Sequence, residues 1–132
     1  MKKPEYYEAN VLFFFDGKPL ELSLYETLFR RMEAEFPDAS VKVQKSQISF
    51  YGRHHLFGAV SLPVRRKKSW PEHCIVVTIG LSNQLESPRV AVAVEPYPGR
   101  WTHHVLVSEE AQIDDELLGW LREAWEFAES KR

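Results

Sequence analysis

The sequence predicts an α+β fold of two layers, an antiparallel β-meander of about five strands with N- and C-terminal helices packed on one face. Three observations carry this. Apolar residues recur at helical spacing between Pro19 and Phe36, the spacing falls to every second residue from about 41 to 107, and helical spacing returns from Asp114. Two helices with one apolar stripe each pack most simply on the same side of a sheet. The short connections between strands favour antiparallel neighbours, because parallel pairs need crossovers of about a dozen residues or more.

The first helix opens in "GKPLELSLYETLFRRMEAEFPD". Pro19 suits a first helical turn, where its missing N–H costs nothing. Leu20, Leu24, Leu28 and Met32, joined by Tyr25, Phe29 and Phe36, mark the buried stripe, and Pro37 ends the helix. The strand region follows. "VKVQ", continuing through or bending into "QISFY", leads to "LFGAVSLPV", "CIVVTIGL", "RVAVAVE" and "THHVLV". "CIVVTIGL" is almost wholly apolar and reads as a central strand. The last helix begins with Asp114 as N-cap and Asp115 and Glu116 in the first turn, where exposed N–H groups favour negative charge. Ile113 and Leu118 are spaced as a hydrophobic staple, and Leu117, Leu118, Leu121, Ala124, Trp125 and Ala128 form the buried stripe.

At 132 residues, with 44% apolar and 27% charged, the chain is sized and composed as one globular domain. The single Cys74 leaves no internal disulfide and fits a reducing cytoplasm. The longest apolar runs fall well short of a membrane span, and no secretory leader is expected.

Charge is unevenly spread. Residues 1–68 sum to +4 and residues 69–132 to −6, and the 33 residues from Ala39 to Pro71 contain no acid. Within that interval, "KVQKSQISFYGRHH" places Lys45, Gln47, Ser49, Tyr51 and Arg53 on alternate positions, with Ile48 and Phe50 between them. Read as one strand, this is a cation-bearing face opposite a core face. It is either a solvated sheet surface or an anion site, in which Lys and Arg supply charge and Tyr51 a stacking surface. "RRKKSWP" adds four consecutive cations and Trp70, which fit either a solvated turn or a phosphate contact.

The histidines pair as His54–His55 and His103–His104. Neighbours on a strand point to opposite faces, so each pair offers one ligand at most to a shared metal, and no metal or cofactor is expected. Of His103 and His104, one is expected half-buried on an inner strand and the other on the open side near Arg100 and Trp101. A catalytic set drawn from Ser46, Ser49, Tyr51 and His104 lacks a recognisable nucleophile–base–orienter pattern, and Cys74 reads as a buried thiol.

The stretches "FFDGKPLELSLYETLFRRM", "VKVQKSQISFYGRHHLFGAVSL", "CIVVTIGLS" and "EPYPGRWTHHVLVSEEAQIDDELLGWLREAWEFA" together resemble a bacterial family of unknown function, the domain-of-unknown-function family numbered 5655. "KSQISFY" and "RWTHHV…IDDELLGWLREA" are the most specific pieces. The resemblance runs from about residue 12 to the end, leaving 1–11 as an N-terminal extension of a single domain spanning 1–132. It implies a small α+β domain of the bacterial cytoplasm and supplies no reaction.

The functional expectation is therefore a non-enzymatic binding module. Its open sheet face would take a nucleic acid or a small anion through Lys45, Gln47, Tyr51 and Arg53, with Arg100, Trp101, His103 and His104 at the rim. The alternatives are a homodimer formed through the same face, where Tyr51, Trp70, Tyr97 and Trp101 offer aromatic contacts, and an enzyme with a His-containing pocket.

Overall fold

The computed structural model describes residues 1–131. In chain order these form α1 (Tyr7–Phe14), α2 (Pro19–Glu35), β1 (Ser40–Val43), β2 (Ile48–Tyr51), β3 (Leu56–Ser61), β4 (Ile75–Leu81), β5 (Val90–Tyr97), β6 (Arg100–Val107) and α3 (Asp115–Glu129), with a short 3₁₀ turn at Glu110–Gln112. The six strands form one open antiparallel sheet in the order β1-β2-β3-β4-β6-β5, with the helices packed against it.

Three details depart from expectation. Residues 44–47 turn the chain back on itself, so "VKVQ" and "QISFY" are two strands of a hairpin, with Gln44 N–H bonded to the Gln47 carbonyl at 2.9 Å. The sheet is a meander only as far as β4. β5 then lies at the outer edge and β6 returns between it and β4. The residues explain this order: β6 contributes Val105 and Val107, both fully buried, whereas β5 carries Pro96, which lacks the N–H that an inner strand must donate. Finally, Tyr7–Phe14 form a helix, α1, which is not expected from the sequence. Lys2 bridges to Ser40 in parallel, and α1 buries Tyr7 and Val11.

α2 starts at Pro19 as its sequence requires, but its buried face is Glu21, Leu24, Tyr25, Leu28, Phe29 and Met32. Leu20 is exposed because its position lies about 80° around the helix from Leu28, at roughly 100° per residue. Glu21, one heptad before Leu28, takes the inward place instead. The Tyr7 and Tyr25 hydroxyls meet at 2.7 Å between α1 and α2, and burial pushes the Tyr7 phenol up to about 12.

α3 lies over β3 and β4. Its approach uses Gly58: a side chain there would press on Leu121 Cδ2, 3.0 Å from the Cβ position. Ile48, Val60, Val77, Ile79 and Val105 point to the helices and meet Leu28, Met32, Leu117, Leu121 and Ala124 in one core. The Asp114 cap is present, accepting from Leu117 N–H at 3.0 Å. Arg89 reinforces it. Its Nη1 reaches both Asp114 oxygens at 2.9 and 3.1 Å and Glu116 at 3.0 Å, and its Nη2 donates to the Gln112 carbonyl at 2.6 Å. Burial alone would raise the Asp114 carboxyl, but the Leu117 N–H and the Arg89 guanidinium outweigh it and hold the carboxyl below its usual range.

This packing sets the cost of two substitutions. Leu121→Ala should destabilise the fold by about 2–5 kcal/mol, since it empties a fully packed site, measured by urea unfolding. Asp114→Ala should cost about 1 kcal/mol at neutral pH. Because the folded carboxyl titrates below the unfolded value of about 3.9, Asp114's contribution is complete above that pH and is lost as pH falls below it. The gap between wild type and variant should therefore close in acid unfolding curves.

Candidate functional site

With the helices on one side, strand alternation assigns the other side residue by residue. Register places Lys42, Ser49, Ala59, Thr78, His104 and Val92 in one row across all six strands. A second row holds Ser61, Val76 and Leu106, and a third includes Gly80, Thr102 and Val94, while Tyr51 lies on the same side beyond the register shift at Phe50–Tyr51. None of these outward positions is acidic. Ser49, Ala59 and Val76 on this side are buried, Ser49 within the hydrogen bonds of Gln44 and Gln47.

Local chemistry holds this surface in place. Gln47 Nε2 donates to Ser49 Oγ at 2.8 Å, and Ser49 Oγ donates to Gln44 Oε1 at 2.6 Å, so the β1–β2 turn folds over its own strand. At the β1 edge the Lys42 ammonium lies 5.0 Å from the centre of the Tyr51 ring, a cation–π contact. In mid-sheet, Thr78 Oγ1 and His104 Nδ1 are 2.8 Å apart, and burial lowers the affinity of His104 for a proton, which keeps the ring neutral near pH 7.

The eight residues singled out from sequence divide into four groups. Tyr51 and His104 lie on the open face. Lys45 and Gln47 belong to the β1–β2 turn beside it, Lys45 exposed and Gln47 tied to Ser49. Arg53 and Arg100 lie at the sheet end near the close of α3. Arg53 donates its backbone N–H to Glu129 at 2.8 Å, with its guanidinium 3.8 Å from the same carboxylate. The Arg100 guanidinium rests on Gly80, where only a missing side chain leaves room, and lies 6.0 Å from the Phe127 ring.

Trp101 and His103 face the helices, in register with Leu81 and Ile79. The adjacent histidines thus separate as expected, but His103 is wholly buried and cannot reach a ligand on the open face. Its Nε2 accepts from Leu85 N–H at 2.8 Å, leaving Nδ1 to carry the proton towards the Ile79 backbone without a well-formed bond. Burial lowers its proton affinity as well. The expected single strand face from Lys45 to Arg53 is therefore corrected: β2 ends at Tyr51, and turns on both sides carry the two cations elsewhere.

Sequence reasoning passed over Lys42 and Thr78. Both were legible in principle, as the one charged residue in "VKV" and the one polar residue within "IVVTIGL".

Electrostatically the two layers differ. The three α-helices carry ten acids and three bases, whereas the six strands carry one acid, Glu95, and two bases. Arg65, Arg66, Lys67 and Lys68 lie exposed on the β3–β4 connection. Arg66 Nη1 donates to the Trp70 carbonyl at 3.1 Å, and Trp70, half-buried, lines a groove of about 320 Å³ with Ala91 and Leu106.

Cys74 and His73 sit apart from this surface, against the start of α2. His73 Nδ1 is 3.2 Å from Oε2 of the buried Glu21, whose Oε1 has no partner. Burial, then the Glu21 charge, push the Cys74 thiol up, with Arg66 opposing in part. This environment quenches a thiolate nucleophile rather than activating one.

No group of three or more His, Cys, Asp or Glu among the described residues is placed to hold a metal ion. No helix among them is long and apolar enough to cross a membrane.

A family model described as "Domain of unknown function (DUF5655)" matches residues 14–128. No curated protein and no solved structure matches the chain.

The two strand histidines imply a pH dependence. Both have proton affinities lowered by folding, so the unfolded chain takes up their protons first. Stability should be full above the unfolded value of about 6.5 and decline as pH falls below it. Urea midpoints taken from pH 8 to 5 should show this decline, and His104→Gln should flatten it.

Proposed function

The chain belongs to the DUF5655 family, which brings no reaction with it, and we propose that it is a non-enzymatic binding module whose open sheet face takes single-stranded nucleic acid. One observation carries the reading: the helices carry ten acids against three bases, while the outward rows of the open face hold no acid. Such a field attracts a polyanion to one side of the molecule even at a net charge of −2.

The arrangement of cations favours an extended anion over a compact one. Lys42 and Lys45 flank the β1 edge, while Arg65, Lys67 and Lys68 stand on the β3–β4 connection. A small phosphorylated ligand needs convergent donors, whereas a strand of nucleic acid is met by charges distributed along its path. Tyr51 and Trp70 are half-exposed aromatic surfaces for stacking, and the Thr78–His104 pair adds hydrogen-bonding groups to the floor. The buried, proton-retaining Cys74 is consistent with a binding role rather than thiol catalysis.

Fluorescence polarisation with labelled single-stranded DNA, RNA and duplex DNA tests this. Four phosphate contacts to a single strand should weaken binding about 50-fold between roughly 50 and 200 mM salt. Lys67→Glu with Lys68→Glu should lower affinity at least about tenfold and reduce the salt slope by about 0.7 for each phosphate no longer neutralised, with thermal unfolding unchanged. No binding at the lower salt would refute the proposal.

A further inference from the structure

We propose that the outward crest of α1 is the contact surface of a symmetric homodimer, with α1 of one copy laid along α1 of the other. This site shares only Lys45 with the border of the open sheet face and does not rest on the function assigned there.

The first observation is the pattern of the helix. Tyr7, Val11 and Phe14 turn towards the domain, Tyr7 and Val11 fully buried. On the opposite side Ala9, Leu12 and Phe13 recur at i, i+3 and i+4, the spacing that elsewhere in this chain marks a core-facing stripe. Yet Leu12 is 60% and Phe13 84% exposed, the latter an almost fully solvated phenyl ring on a regular helix. The domain covers one apolar side of this helix, and a second apolar side left in water calls for a partner. The small Ala9 between two bulky neighbours leaves room for another backbone to approach.

The second observation is what flanks the crest. On the side of Tyr7, Glu8 and Leu12, a groove of about 360 Å³ runs between α1 and α2 over Val11, Leu22 and Tyr25. Its lining holds three acids, Glu8, Glu26 and Glu33, against two bases, Arg30 and Lys3, the latter paired to Glu33 at 3.8 Å, and stays net acidic. On the side of Asn10, Phe13 and Phe14 lies a second groove towards the β1–β2 turn, whose lining includes Lys45 and no acid. The protruding ring therefore stands on the basic flank and the better apolar groove on the acidic one.

These features select the occupant. A two-fold axis running along α1 brings each copy's basic flank against the other's acidic flank. Phe13 of each copy then enters the groove over Val11, Leu22 and Tyr25 of the other, and Lys45 faces Glu8 and Glu26, each contact made twice. A groove of this volume accommodates a phenyl ring. The surface is thus complementary to itself in both shape and charge.

The test is sedimentation equilibrium from about 1 to 100 μM, a range that spans a micromolar dissociation constant. A dimer is expected at the upper end. Phe13→Glu enters the interface twice and should raise the dissociation constant by at least about 30-fold, as for removal of an anchoring aromatic. Leu12→Ser should weaken it less. Since Phe13 is 84% exposed, circular dichroism and the thermal midpoint of the variant monomer should match wild type.

A monomer at every concentration overturns the proposal, as does a dimer indifferent to Phe13→Glu. A monomer that co-floats with phosphatidylcholine–phosphatidylglycerol vesicles only when Phe13 is intact would make the crest a lipid contact, and would overturn it too.

Discussion

Burial of two helical stripes on one side of a single sheet is the constraint from which the rest of this structure follows. Leu28, Met32, Leu117, Leu121 and Ala124 need apolar partners, and the inward residues of β2, β3, β4 and β6 supply them. Once both helices occupy the same side, their charged faces point away from the sheet. The three α-helices carry ten acids, and all but the buried Glu21 keep their outer faces wet. The outward positions of the strands are left to hydroxyl-bearing and small residues mixed with Val76, Val92, Val94 and Leu106, with Lys42 and His104 among them and no acid.

Polar devices secure this arrangement where apolar packing cannot. Arg89, arriving from the loop before β5, holds the start of α3 through Asp114, Glu116 and the Gln112 carbonyl, and its guanidinium lies 5.4 Å from the Trp120 ring. At the other end of α3, Glu129 receives the Arg53 backbone N–H. The helix is therefore tied at both termini to turns that lead into or out of strands, which fixes its angle across the sheet. Glycine serves the same end by absence, Gly58 beneath Leu121 and Gly80 beneath Arg100.

Two surfaces remain after these demands are met, and they differ in kind. The open face mixes polar and aliphatic residues without an acid and is bordered by Lys42, Lys45 and the cations of residues 65–68. The crest of α1 is apolar, narrow and flanked by grooves of contrasting charge. They meet only at the β1–β2 turn, where Lys45 borders both. In a dimer built through α1, two open faces would be presented together, and a strand bridging both would gain by effective concentration rather than by new contacts.

By itself the sequence determined the class of fold and most of its elements, though not α1. Helical and alternating periods are set by neighbours a few positions apart, so α2, α3, the strand region, the Asp114 cap and the apolar reading of β4 were all legible. It also indicated that His103 and His104 must face opposite ways. Only the tertiary structure decided which of them is buried, because that depends on whether the partner residue is Ile79 or Thr78 across the sheet. The same holds for the hairpin at residues 44–47. Alternation carries through a tight turn in the sequence while the chain reverses in space, so Lys45 and Arg53 read as sharing a face that they do not share. The outer position of β5, the seating of α1 and the grip of Arg89 on α3 likewise rest on contacts between residues far apart in the chain. No local pattern encodes such contacts, since they arise only when separate elements compete for the same buried surface.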